Sequence, residues 1–300
     1  MTISSRSIAV AATMSAGKSS LINALIGKEL LHSANEATTA KIARVFCSRR
    51  GAKAVGYCAK SKVAQVNPQA CPDQLREWNQ SDEISAIDIT VSTSKILAGH
   101  TIYDTPGANN SMDSRHYEIF MAAMQGNRYG TLLYVLNASQ LGTRDDAEVL
   151  SAIRELNPAL RVVFALNKID VLDEELGESV ADYVNSAMNY LLDLGFERPI
   201  IVPVMARSAL SAKKLIRGLA QGRRERSEFG NELERFRENP SRLIDAAHMP
   251  YAVKRRLRRR VSRKTHPTID KSTNVSHKEL KVFIDYSGLT ALELLITQTA

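Results

Sequence analysis

The sequence has few cysteines, and their number and spacing exclude two common uses of the residue. Cys47, Cys58 and Cys71 are odd in number and lack the paired spacing of a thiolate metal site. A disulfide framework and a cysteine-based zinc centre are therefore excluded. We expect inert thiols in a reducing, cytoplasmic compartment.

The sequence also lacks a long apolar run. No window approaches the roughly 20 apolar residues that a membrane-spanning helix needs. The first ten residues, "MTISSRSIAV", contain one arginine and no apolar core ahead of the first strand, so they do not match a signal peptide. We expect a soluble, cytoplasmic protein that is at most peripheral to a membrane.

Acidic residues are missing from one segment of an otherwise balanced chain. The formal net charge of the 300 residues is +8. Residues 250–264, "PYAVKRRLRRRVSRK", contain eight basic residues and no acid, so this segment alone accounts for the excess. The composition therefore excludes a general nucleic-acid-binding surface and indicates one basic element.

Apolar strands alternate with helices through the first two thirds of the chain. Buried strands are indicated by "SIAVAATM", "HTIYDTPG", "TLLYVLN", "RVVFALN" and "PIIVPVMA". Helices are predicted over residues 19–31, around 115–126, and over 144–156 and 178–194. This alternation is typical of the α/β class, in which a mostly parallel sheet carries helices on both faces in three layers.

Smaller elements are predicted between the first two of these strands. "IARVF" and "AVGYCA" are expected to be paired strands, and "AIDITVSTS" alternates like a strand with one solvated face. "PDQLREWNQSD" indicates a short helix that begins at Pro72, because proline suits the first helical turn.

Residues 208–285 interrupt the alternation. They are polar, rich in arginine and mostly helical in pattern, and the alternation returns in "YSGLTALELLI", which predicts an amphipathic helix that closes the sheet. One large domain is expected at this length. We therefore predict a single domain over 1–300, with a core at 7–207 and 286–297 and a helical insertion at 208–285.

A phosphate-binding loop is predicted at "ATMSAGKS", residues 12–19, with alanine in place of the first glycine of the pattern. A strand leads into this loop and a helix leads out, so backbone N–H groups and the positive helix end converge. Gly17 permits close backbone approach, Lys18 can bridge the β- and γ-phosphates, and the Ser19 hydroxyl can bind Mg²⁺. The loop predicts the P-loop NTPase fold. We expect the phosphates to contact Ser15, Ala16, Gly17, Lys18, Ser19 and Ser20.

A second part of the site is predicted at "YDTPG", where a strand ends. Ligands bind at the carboxyl ends of strands in such sheets. The Asp104 carboxylate can reach Mg²⁺ through water, and the Gly107 N–H can meet the γ-phosphate.

A base-binding part is predicted at "ALNKID", which supplies Asn167, Lys168 and Asp170. Asp170 can accept from guanine N1–H and from the exocyclic amine. Adenine has no donor at that ring nitrogen and would leave a buried carboxylate unpaired, which predicts selection of guanine. Lys168 is expected to pack over the loop and base, and Asn167 to tie this loop to the phosphate loop.

Two more loops are candidates. In "ANEATTAKIA", Thr39, with Thr38 as the near alternative, is expected to bind Mg²⁺ through its hydroxyl only when the γ-phosphate is present. In "PVMARSAL", the Ala206 N–H can meet guanine O6 and Arg207 can flank the ring. The competing interpretation of this last segment is a helix start without functional weight.

With these residues in hand, the chain resembles the dynamin-like GTPases, particularly their bacterial members. The resemblance rests on "SAGKSSLINALIG", "EATTA", "DTPGANNS", "LNKID", "PVMARSAL" and "YSGLTALELL", in family order. It implies an enzyme that binds GTP and GDP and hydrolyses GTP with Mg²⁺, with Lys18, Ser15 and Thr39 as catalytic residues. We expect none of the long helical bundles of dynamins within these 300 residues, so the resemblance does not imply membrane remodelling for this chain. We expect a solitary domain, a truncated member or half of a split system.

Two positions depart from the family pattern. Met14 stands where many dynamins carry a glutamine that orients the attacking water, and Ala108 stands where Ras-type enzymes carry one. Ser15 occupies a position that in relatives helps to hold a monovalent cation. We therefore hypothesise a K⁺-assisted reaction, completed when two GTPase domains pair across the nucleotide as a homodimer or with a dynamin-like partner chain.

The basic segment leaves several functions open. Met249, Val253, Leu257 and Val261 recur every four residues and give an arginine-covered helix one apolar stripe. Residues 250–264 could contact an anionic membrane, nucleic acid or a partner, or dock by the stripe on the domain with their charges in water. The alternative function is an Era-like regulatory GTPase switch that binds RNA or a ribosome through this helix. An inactive scaffold is a third hypothesis, since no catalytic glutamine is present.

Overall fold

The computed structural model describes residues 4–31, 43–58, 64–81, 83–105, 121, 124, 129–173, 177–262 and 275–298. Nine strands of this part form one sheet in the order β4-β3-β5-β2-β6-β1-β7-β8-β9. Their bounds are β1 Ser4–Ala12, β2 Ala43–Ser48, β3 Ala52–Cys58, β4 Ala64–Asn67, β5 Ile84–Ser92, β6 Thr101–Asp104, β7 Tyr129–Asn137, β8 Val162–Asn167 and β9 Ile200–Val204.

The helices of the described part complete an α/β architecture. Their bounds are α1 Lys18–Ile26, α2 Pro72–Gln80, α3 Arg144–Leu156, α4 Val180–Asp193, α5 Ala206–Ile216, α6 Arg223–Glu238, α7 Arg242–Ala246, α8 Tyr251–Ser262, α9 His277–Tyr286 and α10 Leu289–Ile296. The predicted α/β class with a mostly parallel sheet is therefore confirmed. Most of the helix predicted around 115–126 lies outside the described residues.

One half of the sheet is wholly parallel and positions the strand ends that matter. Strands β6, β1, β7, β8 and β9 run in the same direction. Their apolar runs are nearly continuous because the central strands of a parallel sheet are covered on both faces. Parallel strands present their carboxyl ends at one edge of the sheet, so the ends of β6, β1, β8 and β9 lie along the same edge, with β7 between β1 and β8.

The other half of the sheet corrects one prediction. The segments "IARVF" and "AVGYCA", expected to pair, form β2 and β3, but β5 lies between them. β5 runs parallel to β2 and antiparallel to β3. The short connection at residues 49–51 favoured a hairpin, but β5 buries alternate residues and offers hydrogen bonds on both edges. Partner choice therefore followed burial and not chain proximity.

Helix α1 is shorter than predicted. It ends at Ile26 instead of near Leu31, because Gly27 adopts φ 72 and its N–H donates to the Asn23 carbonyl oxygen. Glycine readily adopts this left-handed conformation, which commonly ends helices. The Asn23 side chain then accepts from the N–H groups of Leu30 and Leu31, at 3.0 and 2.9 Å, and holds the following turn.

The far end of α1 is held by a buried ion pair. Lys213 Nζ donates to the carbonyl oxygens of Ala24 and Leu25, at 2.8 and 3.1 Å, and lies 3.3 Å from Glu293 Oε1. A positive charge at a helix carboxyl end is favourable because it faces the negative end of the helix dipole. Burial lowers the pKa of Lys213, whereas Glu293 raises it. This contact ties α1 to α5 and α10.

The closing helix departs from the prediction of an amphipathic helix. The segment breaks at Gly288, and every residue of α10 is buried, including Glu293. A helix that is buried on all sides belongs to the core. Gly288 has φ 81, and a Cβ there would lie 2.1 Å from the Pro203 carbonyl oxygen, so only glycine permits this approach to β9.

The basic helix α8 docks by its apolar stripe. Val253, Leu257 and Val261 are buried where α8 packs against α9 and α10. Arg255, Arg256 and Arg259 are exposed. Arg260 instead pairs at 3.0 Å with the buried Asp285 of α9. The stripe therefore faces the protein, as the docked-helix interpretation expected. Among the described residues, no helix has both the length and the apolar character needed to cross a bilayer.

Candidate nucleotide-binding site

The loop between β1 and α1 has the backbone conformation of a phosphate cradle. Gly17 has φ 89, and a Cβ there would lie 2.5 Å from Asn167 Nδ2, so only glycine fits between the loop and β8. Helix α1 begins directly afterwards at Lys18, and no side chain caps it. Its first N–H groups are therefore available to an anion, and the helix dipole favours negative charge there.

Two predicted phosphate and metal residues contact each other across neighbouring strands. The Lys18 ammonium group forms an ion pair with Asp104 Oδ1, and both side chains are about 15% exposed. β6 lies beside β1, with Asp104 in register with Val10, which brings the carboxylate under the loop. At this position a bound triphosphate would offer Lys18 a second anionic partner, and a bound cation would compete with Lys18 for Asp104.

The oxygen groups near the start of α1 suit a hard cation. Ser19 supplies a hydroxyl, and Asp104 supplies a carboxylate. Among the described residues, no cluster of three or more histidine, cysteine or acidic side chains could hold a metal alone. Mg²⁺ fits this set, since it is usually bound by one or two protein oxygens together with waters and substrate phosphates.

Asn167 links the predicted phosphate loop to the segment predicted to lie at the base. Its Nδ2 donates to the Ala16 carbonyl oxygen at 3.0 Å, and its Oδ1 accepts from the Ala206 N–H at 3.3 Å. The side chain is 3% exposed, so both contacts are shielded from water. The Ala206 N–H, predicted to meet guanine O6, thus donates to Asn167 in this structure.

Asp170 is a shielded carboxylate with one oxygen already bonded. Its Oδ2 accepts from Ser208 Oγ at 3.1 Å. Burial raises the pKa of Asp170, whereas the Ser208 hydrogen bond and the Arg207 charge lower it. Lys168, with φ 67, turns the chain between β8 and Asp170. The carboxylate is therefore oriented but strongly favours partners that donate hydrogen bonds.

Sequence reasoning missed Ser208 and a second contact of the phosphate loop. Ser208 follows the two predicted base residues and is 4% exposed, and a serine in the first turn of a helix at a strand end was the available signal. The second is the hydrogen bond from Thr13 Oγ1 to Asp146 Oδ1, at 2.9 Å. No local pattern indicated it, because the two residues are far apart in sequence.

The structure brings most predicted site residues to one edge of the sheet. Residues 15–20 follow β1, Asp104 ends β6, Asn167 ends β8 with residues 168–170 after it, and residues 206 and 207 begin α5 after β9. Thr39, its alternative Thr38, Gly107 and Ala108 lie outside the described residues.

Comparison with known proteins identifies the family. The profile of the Dynamin family matches residues 8–169. The chain is 27% identical over 193 residues to dynamin-like protein A of Bacillus subtilis (strain 168), covering 64% of this chain and 15% of that protein. It is 29% identical over 233 residues to the probable transmembrane GTPase FZO-like, chloroplastic, of Arabidopsis thaliana, covering 73% and 22%. The chain thus spans less than a quarter of the length of either relative.

Solved structures show the same fold. The chain is similar to two chains of an oligomerised bacterial dynamin pair described as providing a mechanism for long-range sensing and tethering of membranes. The first has a TM-score of 0.53 at 21% identity and covers 82% of this chain and 40% of that chain. The second has a TM-score of 0.51 at 19% identity and covers 85% and 41%. By its sequence match over more than half of its length, the chain belongs to the dynamin family.

Proposed function

We propose that this chain binds GTP with Mg²⁺ and hydrolyses it to GDP and phosphate. The observation that carries the proposal is the bridge made by Asn167. It joins the phosphate loop at Ala16 to the base side at Ala206, so one nucleotide would span Lys18 and Asp170. Family membership supports the same activity.

The two ends of the site have distinct roles in this proposal. Lys18 and the first N–H groups of α1 bind the phosphates, and Lys18 neutralises charge that develops between the β- and γ-phosphates. Asp170 accepts from the two adjacent donors of guanine. Arg207 flanks the ring, and Gly107 and Thr39 respond to the γ-phosphate.

The cation would be held by Ser19, Asp104 and Thr39. When bound, Mg²⁺ supplies charge neutralisation at the phosphate oxygens. For this to happen, the Lys18 ammonium must move from Asp104 towards the phosphates. Until then the Lys18–Asp104 ion pair neutralises both groups, which limits the free-energy cost of shielding two charges from water.

The group that positions the attacking water is supplied in part from outside the loop. Met14 is 43% exposed and has no hydrogen-bonding group suited to this role. Ser15 lies exposed beside it. We infer that K⁺ held near Ser15, and a second GTPase domain facing the nucleotide, complete the reaction. The oligomerised state of the similar bacterial dynamin pair supports pairing of this kind.

The family match favours this function over an Era-like switch. The buried stripe of α8 also leaves only its charged side for RNA or anionic lipid, with Arg255, Arg256 and Arg259 exposed. We infer that the protein is cytoplasmic and that its contact with a membrane, where it makes one, is peripheral.

Calorimetry and turnover assays test the proposal. We expect GTP and GDP to bind with Mg²⁺ and ATP to bind at least tenfold more weakly, about 1.4 kcal/mol. Turnover per molecule should rise with protein concentration and be faster in K⁺ than in Li⁺. Equal binding of ATP and GTP would contradict the nucleotide assignment. Rates that are independent of protein concentration and of the cation would contradict the paired, K⁺-assisted reaction.

A further inference from the structure

A buried carboxylate lies beneath the entrance of the phosphate loop. Asp146, in the first turn of α3, is 1% exposed. Its Oδ1 accepts from Thr13 Oγ1 at 2.9 Å and from Tyr134 OH at 2.7 Å, and its Oδ2 accepts from Thr143 Oγ1 at 3.1 Å. Thr13 is the second residue of the phosphate loop, so the carboxylate contacts the loop directly.

The hydrogen bonds of this cluster restrain Thr13 more strongly than apolar packing would. Among the ion pairs of the described residues, none includes Asp146, so hydroxyl donors and the start of α3 balance its charge. Burial, and then the nearby Asp146, raise the pKa of Tyr134 well above its ordinary value, so Tyr134 remains a donor. A buried charge is costly, but hydrogen bonds to it are stronger than those to a neutral acceptor.

The loop needs such a hold because its middle is strained. Ser15 has φ 61, a conformation that non-glycine residues rarely adopt and that persists only where neighbouring contacts enforce it. One contact lies on each side of Ser15 in the sequence. Thr13 is bonded to Asp146 before it, and the Ala16 carbonyl oxygen is bonded to Asn167 after it, at 3.0 Å.

We propose that Asp146 is a positioning residue for nucleotide binding, acting through Thr13. It holds the entrance of the loop so that the strained turn at Ser15 presents its backbone N–H groups to the phosphates. This inference rests on the proposed function, since it assumes that phosphates bind in this loop. The start of α3 would then contribute to the nucleotide site through its contact with Thr13.

The test compares substitutions that differ by one hydroxyl group. Thr13→Val keeps the shape of the side chain and removes the donor, whereas Thr13→Ser keeps the donor. Ser94→Ala is the matched control, because Ser94 Oγ donates to another buried carboxylate, Glu293, at 2.8 Å. The dissociation constants of GTP and GDP with Mg²⁺ are measured by calorimetry, and melting temperatures are measured without nucleotide.

We expect Thr13→Val to weaken GTP and GDP binding about tenfold, the value of one charge-assisted hydrogen bond. Thr13→Ser should restore the affinity to within about twofold of the wild type. Ser94→Ala should lower the melting temperature and leave both affinities unchanged. A purely structural role for Thr13 predicts instead that affinity follows melting temperature in all three variants.

Asp146→Asn provides a second measurement that does not depend on Thr13 alone. If Asp146 acts through Thr13, the double variant Thr13→Val/Asp146→Asn should bind no more weakly than the weaker single variant. The inference is overturned if Thr13→Val binds like the wild type, if Thr13→Ser fails to rescue, or if the two losses add. If the wild type itself binds no guanine nucleotide, the proposed function fails as well. If the wild type binds normally, only this inference is at stake.

Discussion

Ser208 donates a hydrogen bond from its Oγ to Oδ2 of Asp170 over 3.1 Å, from the first turn of α5 to the turn that follows β8. The bond orients the carboxylate and lowers its pKa against the opposing effect of burial. Base selection would therefore depend on a helix that begins after a different strand. The contact between the two elements would make α5 part of the proposed base site.

We predict that Ser208→Ala weakens GTP binding about tenfold, since a hydrogen bond to a charged group is lost. If guanine binds as proposed, GTP binding should need the ionised carboxylate and decline as pH falls through the pKa of Asp170. Without Ser208 that pKa rises further, so the decline should begin at a higher pH. Calorimetric titrations over a pH series measure both effects.

Ser211→Ala is the control for this prediction. Ser211 lies on the same helix, is 2% exposed and donates to Glu225 at 2.6 Å. Its loss should affect stability but not the pH dependence of GTP binding. If both variants shift the pH dependence of GTP binding equally, the effect of Ser208→Ala comes from a less stable α5 and not from the lost bond to Asp170.

Asp170→Asn should change the preferred base from guanine to xanthine. Asparagine can accept from the ring N1–H and donate to the carbonyl oxygen that xanthine carries in place of the guanine amine. We expect GTP affinity to fall about a hundredfold and xanthosine triphosphate affinity to exceed it. Competition binding with the two nucleotides measures the exchange. Unchanged GTP affinity would remove Asp170 from the base site.

Substitutions at the Lys18–Asp104 ion pair can distinguish an effect on stability from an effect on nucleotide binding. Lys18→Met leaves the Asp104 carboxylate shielded without its cation and should lower the free energy of unfolding by about 1–3 kcal/mol. Lys18→Met/Asp104→Asn should recover most of that stability, while GTP binding stays lost in both variants. Urea denaturation and calorimetry measure the two properties. A double variant as unstable as the single one would contradict the pairing.

Gly288→Ala should destabilise the closing helix. The new Cβ would meet the Pro203 carbonyl oxygen, at 2.1 Å, and φ 81 is unfavourable for alanine, so we expect a loss of about 3 kcal/mol. Gly230→Ala is the control, because that glycine lies inside α6 with no atom within 4 Å of the added carbon. It should stabilise the protein by about 0.5–1 kcal/mol. Similar effects of both substitutions in thermal unfolding would contradict the close approach of Gly288 to β9.

Much of the fold could be predicted because local patterns are strong where burial is complete. The continuous apolar runs of β7 and β8 and the periodicity of α3 marked elements whose observed positions agree with the prediction. Errors arose where a partner far along the chain decided the outcome. β5 separated β2 from β3, and α10 proved to be buried on all sides. The early end of α1 has a local cause instead, the left-handed conformation of Gly27.

Local sequence was enough to predict the phosphate loop, the guanine-binding motif and their order, because each is a short stretch in which residue type and neighbouring backbone suffice. Only the tertiary structure revealed that Asn167 bridges two loops, that Ser208 orients Asp170, and that Asp146 holds Thr13. These contacts join residues many positions apart. Hydrogen bonds between distant residues depend on how strands and helices pack, which no local pattern records.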